Sequence, residues 1–231
     1  MTTGRTERPA FTARELRLIG RLTTPSHVQA FLNALPYNTE PPPDRPTLRT
    51  FRGVVRLGTA HCLEAALTAA VILEQHGYPA MLMSMESVDE LDHVVFVYRA
   101  KGRWGSVARS RDPGLHGRQP VFASLGALAR SYFDPYIDRT GCITAYGATN
   151  LAVLGRYDWR LAEGNVWKVE RLLYAIPHRP LAYSRARVDR LRRRYVAYLE
   201  THNGRKPLYY DRQSWSALPV EYARRTRREA D

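Results

Sequence analysis

Residues 59 to 80 read TAHCLEAALTAAVILEQHGYPA, and the apolar run from Ala65 through Leu73 predicts a core helix. Thr59 is a candidate N-cap. Gly77 stands where a left-handed terminating residue belongs, and Pro79 prevents continuation. Beyond it the period changes. AMLMSM, residues 80 to 85, reads as a short apolar strand and SVDELD as an acidic loop. HVVFVYRA, residues 93 to 100, is the β-branched and aromatic run of a buried strand. Lys101-Gly102 fits a two-residue hairpin turn, with the chain returning as RWGSVARS. Such a turn sets Ala100 opposite Arg103 and His93 opposite Ser110, with Asp112 diagonal to the histidine on the same face.

The flanking segments read as mostly helical. Residues 12 to 35 carry two helical stretches with a fresh start at Thr24-Pro25. NTEPPPDRP, residues 38 to 46, is a linker or a loop pressed on the core, and residues 47 to 57 are ambiguous. PGLHGRQP reads as a loop, Ser124 caps a helix through Tyr132, and TGCITAYG places Cys142 in a buried strand or turn. GNVWKVERLLYAI is an amphipathic helix stopped by Pro177. In residues 184 to 204 Val188, Leu191, Tyr195 and Tyr198 form one apolar stripe beside arginines. The expectation is a single α+β domain over 1–231. Residues 1–46 form an N-terminal helical addition and Pro-rich loop. Residues 47–140 form a core in which the Cys62 helix packs on an antiparallel sheet of 80–85, 93–99 and 103–109. Residues 141–231 form a helical C-terminal addition.

Composition narrows the partners. The net charge of +13 comes almost wholly from arginine, with lysine only at 101, 168 and 206, and the arginines are scattered without a recognisable nucleic-acid-binding motif. Nucleic acid is therefore not an expected partner, and residues 184 to 204 are read first as a helix docked by its stripe. A binder of an anionic partner through that Arg-rich helix is the alternative. MTTGRTERPAFTARELRLIGRL has no signal-peptide core, and no apolar run is long enough to span a bilayer. Two cysteines make no disulfide framework, so a cytoplasmic protein without membrane partners is expected. Oligomeric state is not set by any of these features.

Candidate chemistry centres on Cys62. A cysteine alone more often packs than reacts. At a helix start, though, unpaired backbone N–H groups and the helix dipole favour its thiolate. A thiol nucleophile also needs a base and a group to orient that base. His93 at the start of the hairpin is the base, and Asp112 or Ser110 the orienting group. The backbone N–H of Cys62 is a candidate oxyanion donor, with Asn38 as a second. His61 adjoins the nucleophile and either shapes the helix start or serves as an oxyanion or substrate contact, while Glu64, Asp89, Glu90 and Asp92 form an acidic surround or a solvated face. No paired-ligand spacing supports zinc at Cys62, His93 and Cys142, so neither metal nor cofactor is expected.

From about Thr47 to Tyr136 the chain resembles the transglutaminase-like, papain-like cysteine-enzyme superfamily. The likeness rests on the helix-starting cysteine of TAHCLEAAL, a following strand, His93 at a strand start and the Trp-containing hairpin partner RWGSVARSRDP. GSVARSRDPGL with GRQPVF looks like an uncharacterised bacterial branch of it. The resemblance implies acyl transfer on a protein or peptide amide, with Cys62 as nucleophile, His93 as base and Trp104 near the substrate. It departs from the family pattern where an Asp commonly follows the hairpin Trp, since Ala108 stands four residues after Trp104. Water as acceptor makes a peptidase or deamidase, and an amine makes a transamidase. A fold of this type that binds or scaffolds without catalysis is the reading that the missing Asp favours.

Overall fold

The structure, a computed structural model, describes residues 10–40, 46–90 and 92–204. The prolines at 41–43, Leu91 of the acidic loop, and residues 1–9 and 205–231 of the flanking additions lie outside the described residues. The class is α+β, with six strands among the described residues in one antiparallel sheet of order β4-β3-β2-β1-β5-β6. The strands are β1 (Met81–Ser87), β2 (His93–Ala100), β3 (Arg103–Val107), β4 (Arg118–Phe122), β5 (Ile143–Asn150) and the two-residue β6 (Arg179–Pro180).

Helices cover both faces of this sheet, which explains why its central strands are nearly continuous apolar runs. Leu82 of β1, and Val94, Phe96 and Tyr98 of β2, share one buried cluster with α1 (Ala13–Arg21), α2 (Pro25–Ala34), α3 (Phe51–Leu57), α4 (Cys62–Glu74) and α6 (Trp167–Ala175). Met83, Met85, Val95 and Val97, the alternate residues, pack with α5 (Leu125–Tyr136) and α7 (Arg185–Thr201) on the other face. α4 lies directly on β2, and its residues Leu63 through Leu73 are all buried. A helix apolar on every side belongs at such a place. Its C-terminal turn unwinds at Gly77, whose φ of 88° suits a residue without Cβ.

The hairpin forms as its turn residues require. Lys101 and Gly102 both have positive φ, 48° and 77°, and Ala100 pairs with Arg103. That register runs to Phe96↔Val107 and then stops, short of His93. The cause is a side chain. Gln29 of α2, 1% exposed, accepts from Ala108 N at 2.9 Å and donates to Ala108 O at 2.8 Å, taking the place of a strand partner. The chain then leaves the sheet and turns through a short 3-10 segment, Pro113–Leu115, before β4. Gly117 closes this loop; a Cβ there would collide with Gln29 and the Ser106 carbonyl.

Three elements differ from the pattern read along the chain. Residues 51–57 are helical, capped by Thr50, whose Oγ1 accepts from Gly53 N. The stretch read as the loop PGLHGRQP ends in β4. The segment 141–231, read as helical, also supplies β5, which pairs with β1 along its whole length. ITAYGATN has small residues at its inward positions and only a weak alternation of buried and half-buried sites, so its apolar signal is low.

The basic helix is docked. Val188, Leu191 and Tyr195 of α7 are buried. Arg187 turns inward to grip both Asp134 oxygens at 2.8 Å, and Arg192 donates to the carbonyls of Asp138 and Thr140. Leu191→Ala should therefore cost about 2 kcal/mol in denaturant unfolding, the lower end for a buried leucine, with the exposed Arg190→Ala within about 0.5 kcal/mol of wild type. Equal, negligible effects would contradict docking.

Candidate active site

The helix that carries Cys62 starts one residue before it. His61 is the N-cap, so Cys62 is the first helical residue and the first intrahelical bond is Ala65 N to His61 O, 2.9 Å. Thr59, the cap expected from the sequence, instead accepts from Arg49 Nη1 at 2.9 Å. Glu64 supplies the capping acceptor: its Oε2 takes the His61 backbone N–H at 3.1 Å, as an acidic residue in a first turn is placed to do.

Glu64 has no exposed surface and is the organising charge of the site. It accepts from Asn38 Nδ2 (3.2 Å), Thr47 Oγ1 (2.9 Å), Arg49 N (3.0 Å) and His61 N, and pairs with Arg49 Nε at 3.3 Å. Asn38 Nδ2 also donates to Thr47 Oγ1 at 2.9 Å, so both of its amide hydrogens point toward this network. The segment around Tyr37 is held parallel to Ala60 by Asn38 N to Ala60 O, 3.2 Å, and Ala60 N to Pro36 O, 3.4 Å. That pairing sets the Tyr37 hydroxyl against Cys62, beside both its backbone N–H and its thiol. Burial and the adjacent Cys62 charge push the phenol up, so it remains a proton donor at neutral pH.

Two imidazoles stand within hydrogen-bonding reach of the Cys62 thiol. His61 Nε2 donates to Thr47 O at 2.9 Å and lies 3.6 Å from Glu64 Oε1, which leaves Nδ1 for the sulfur. His93 Nε2 donates to Leu115 O at 2.8 Å, and again Nδ1 is left for the sulfur. Burial pushes the thiol up, but the hydrogen bonds from His61 and His93 and their charges outweigh it and bring the thiol well below its usual range. Burial pulls His61 down, yet the Cys62 sulfur, Glu64 and the Thr47 carbonyl raise it to about 9. Cys142 behaves oppositely: burial pushes its thiol up to about 11.

The carbonyl that holds His93 is positioned by a buried guanidinium. Arg118, 1% exposed, donates from Nη2 to Gly114 O at 2.6 Å and from Nη1 to His116 O at 2.5 Å, fixing the turn between them. Its guanidinium lies 4.1 Å from the Tyr132 ring centroid, and the His93 ring packs edge-on to the same tyrosine, 5.6 Å between centroids. Arg109 ties this loop to α2 through the Leu35 carbonyl, and its guanidinium lies over the Tyr37 ring.

The remaining candidates are distributed unevenly. Ser110 and Asp112 line a cavity of about 140 Å³ with Cys62 and His93, but the hydroxyl of Ser110 accepts from Asp112 N, and the far ring nitrogen of His93 is taken by Leu115. Asp89 and Asp92 line that cavity too. Glu90, Asp92 and Asn38 line a second one of about 370 Å³, shared by His61 and Cys62 and walled by Trp167, Leu173 and Tyr174. Trp104 is elsewhere: it pairs with Arg99 and Phe122 and lines a separate cavity with Tyr146 and Arg179. The sequence offered no signal for the Leu115 carbonyl or for Arg118, while Tyr37 lay one position from Asn38.

Among the described residues, no group of three or more His, Cys, Asp or Glu side chains is arranged to hold a metal ion, and no helix is long and apolar enough to cross a membrane. Compared with protein-family models and with curated proteins, the chain matches none. The site is therefore read from its own geometry.

Glu64→Gln tests that geometry. The new amide would set its own N–H groups against those of Asn38, Arg49 and His61 and remove the charge that pairs Arg49. Loss of about 2–3 kcal/mol in chemical denaturation is expected, below the full figure for breaking a buried ion pair because Arg49 is partly exposed. A change below about 0.5 kcal/mol would show that Glu64 organises nothing.

Proposed function

We propose that the protein is a cysteine-dependent acyl-transfer enzyme acting on amide bonds, with the core of a transglutaminase-like, papain-like enzyme. The observation that carries this reading is the Cys62 thiol at the tip of α4, drawn well below its usual range by two imidazoles while Cys142 is pushed the other way. A thiolate is the form that attacks a carbonyl, and its charge is useful only where a cavity lets substrate reach it. Cys62 lines two such cavities.

In the reaction the sulfur attacks the amide carbon, the amine leaves and a thioester forms on Cys62. The developing oxyanion lies beside the Cys62 N–H at the helix start, with the Tyr37 hydroxyl, held against that N–H, as second donor. The Tyr37 hydroxyl donates its proton toward the oxyanion in this step. His93 exchanges protons through Nδ1, its tautomer set by Nε2–H donating to Leu115 O. A carbonyl fills the role that a carboxylate has in the familiar triads. It fixes the ring's orientation but adds no countercharge.

Iodoacetamide tests the reading. Cys62 should be carbamidomethylated at pH 6, far below the ordinary thiol pKa of about 8.5, and the rate should fall only as acid protonates the sulfur. Cys142 should stay unlabelled over the same interval, and Cys62→Ala should abolish labelling while leaving the fold intact. Labelling of Cys62 only above pH 8 would refute the proposal.

A further inference from the structure

Cys62 lines two cavities, together with Tyr37, Asp92 and Arg111, and each cavity has its own histidine. His61 lines the larger one and not the smaller; His93 lines the smaller one and not the larger. Both rings have Nε2 tied to a backbone carbonyl, Thr47 O and Leu115 O, and so both offer Nδ1 to the same sulfur. A single base shuttling every proton explains one such ring. It leaves the second, with its own anchoring carbonyl and its own cavity, without a task.

The cavities differ in what they can hold. About 370 Å³ lies within the range of small-molecule or side-chain sites, and Trp167, Leu173 and Tyr174 give it an apolar wall. About 140 Å³ holds only a few waters at roughly 30 Å³ each, and Asp89, Asp112, Asp138 and Ser110 make its lining polar. Charged groups around His61 are Glu64 beneath it, itself paired with Arg49, and, across the larger cavity, Glu40, Glu90, Asp92, Glu170 and Arg111. The Cys62 sulfur, Glu64 and the Thr47 carbonyl favour the protonated ring. His93 has Asp89, Asp92, Asp112, Asp138 and Arg111 around its cavity, with Tyr132 packed on its face.

We infer that the two histidines divide the reaction: His61 holds the thiolate and faces the acyl donor in the larger cavity, and His93 activates a water in the smaller one. This rests on the acyl-transfer reading above and makes the enzyme a hydrolase. In the first half-reaction the sulfur–carbon bond forms, the carbon–nitrogen bond breaks, and the proton on His61 Nδ1 goes to the departing amine. In the second, His93 Nδ1 takes a proton from water as its oxygen bonds the thioester carbon and the carbon–sulfur bond breaks. The acid leaves as carboxylate, and the two protons released restore His61 as imidazolium and the solvent. The sulfur is again a thiolate.

The probe is p-nitrophenyl acetate, whose leaving group needs no acid, so each half-reaction is read alone. Phenolate release reports acetylation of the full-length protein, and intact mass reports acetyl-Cys62. His61→Gln should slow acetylation at least tenfold at pH 6, recover toward wild type at pH 9, and leave no accumulated acetyl-enzyme. His93→Gln also weakens the thiolate, so its diagnostic is the second step: acetyl-Cys62 should accumulate at every pH and be released by added hydroxylamine, a nucleophile that needs no base. His61→Asn repeats the first test should the glutamine variant fail to fold. Acetyl-enzyme accumulating equally in both variants, or in neither, overturns the division of labour while leaving the thiolate enzyme standing. A wild-type protein acetylated no faster than Cys62→Ala overturns both.

Discussion

A carboxylate with no exposed surface, in a protein with a large excess of arginine, is the constraint around which the site is built. Glu64 sits in the first turn of α4, where the helix dipole favours it, but burial of a charge is tolerated only when its oxygens are surrounded by donors. Those donors come from the chain between Asn38 and Arg49 and from the backbone of His61. Satisfying one charge therefore brings an otherwise irregular segment onto the tip of the helix. The same contacts aim the Thr47 carbonyl at His61 and seat Tyr37 beside the Cys62 N–H.

The opposite side of the thiol is set by where a strand ends. Gln29 occupies both backbone groups of Ala108, so β3 cannot continue alongside Val94 and His93. The start of β2 is then paired on one side only, and the loop that fills the vacated edge delivers Leu115 O to the imidazole. Alternation along β2 would give His93 the face of Val95 and Val97, and its ring does pack on Tyr132 from that face. Only because the strand beside it has ended can Cys62, at the end of a helix on the other face, share a cavity with it. Arg118 keeps the loop in place by donating to its carbonyls, a costly burial of charge that makes sense where a single carbonyl must be held still.

How far all this was legible in the sequence depends on whether local chemistry or long-range packing decided it. The α4 helix, its Gly77 stop, the strands β1 and β2 and the Lys101-Gly102 turn follow from composition and φ preference, and the hairpin register followed from the turn. Cys62 and His93 could be paired for that reason. The register reading failed to carry on to Ser110 because it assumed an uninterrupted strand, and nothing local announces that a glutamine eighty residues earlier will end one. β5 was read only in part, as a strand or turn around Cys142, because Ala145, Gly147 and Ala148 carry little apolar signal despite lying beside the central strand. The orienting group of His93 is a backbone carbonyl, which has no side-chain signature at any position. His61 was visible as a neighbour of the cysteine, but its role depends on Thr47 and Glu64 converging from outside the helix.

Everything proposed for the site depends on a sulfur that is ionised at neutral pH because two imidazoles surround it. The far-ultraviolet absorbance of thiolate, taken as the difference between wild type and Cys62→Ala across a pH titration, reads that state without any substrate. The account predicts a thiolate band already present at neutral pH that disappears in acid, well below the ordinary thiol pKa of about 8.5. A band that appears only as the pH rises through that ordinary value would contradict it.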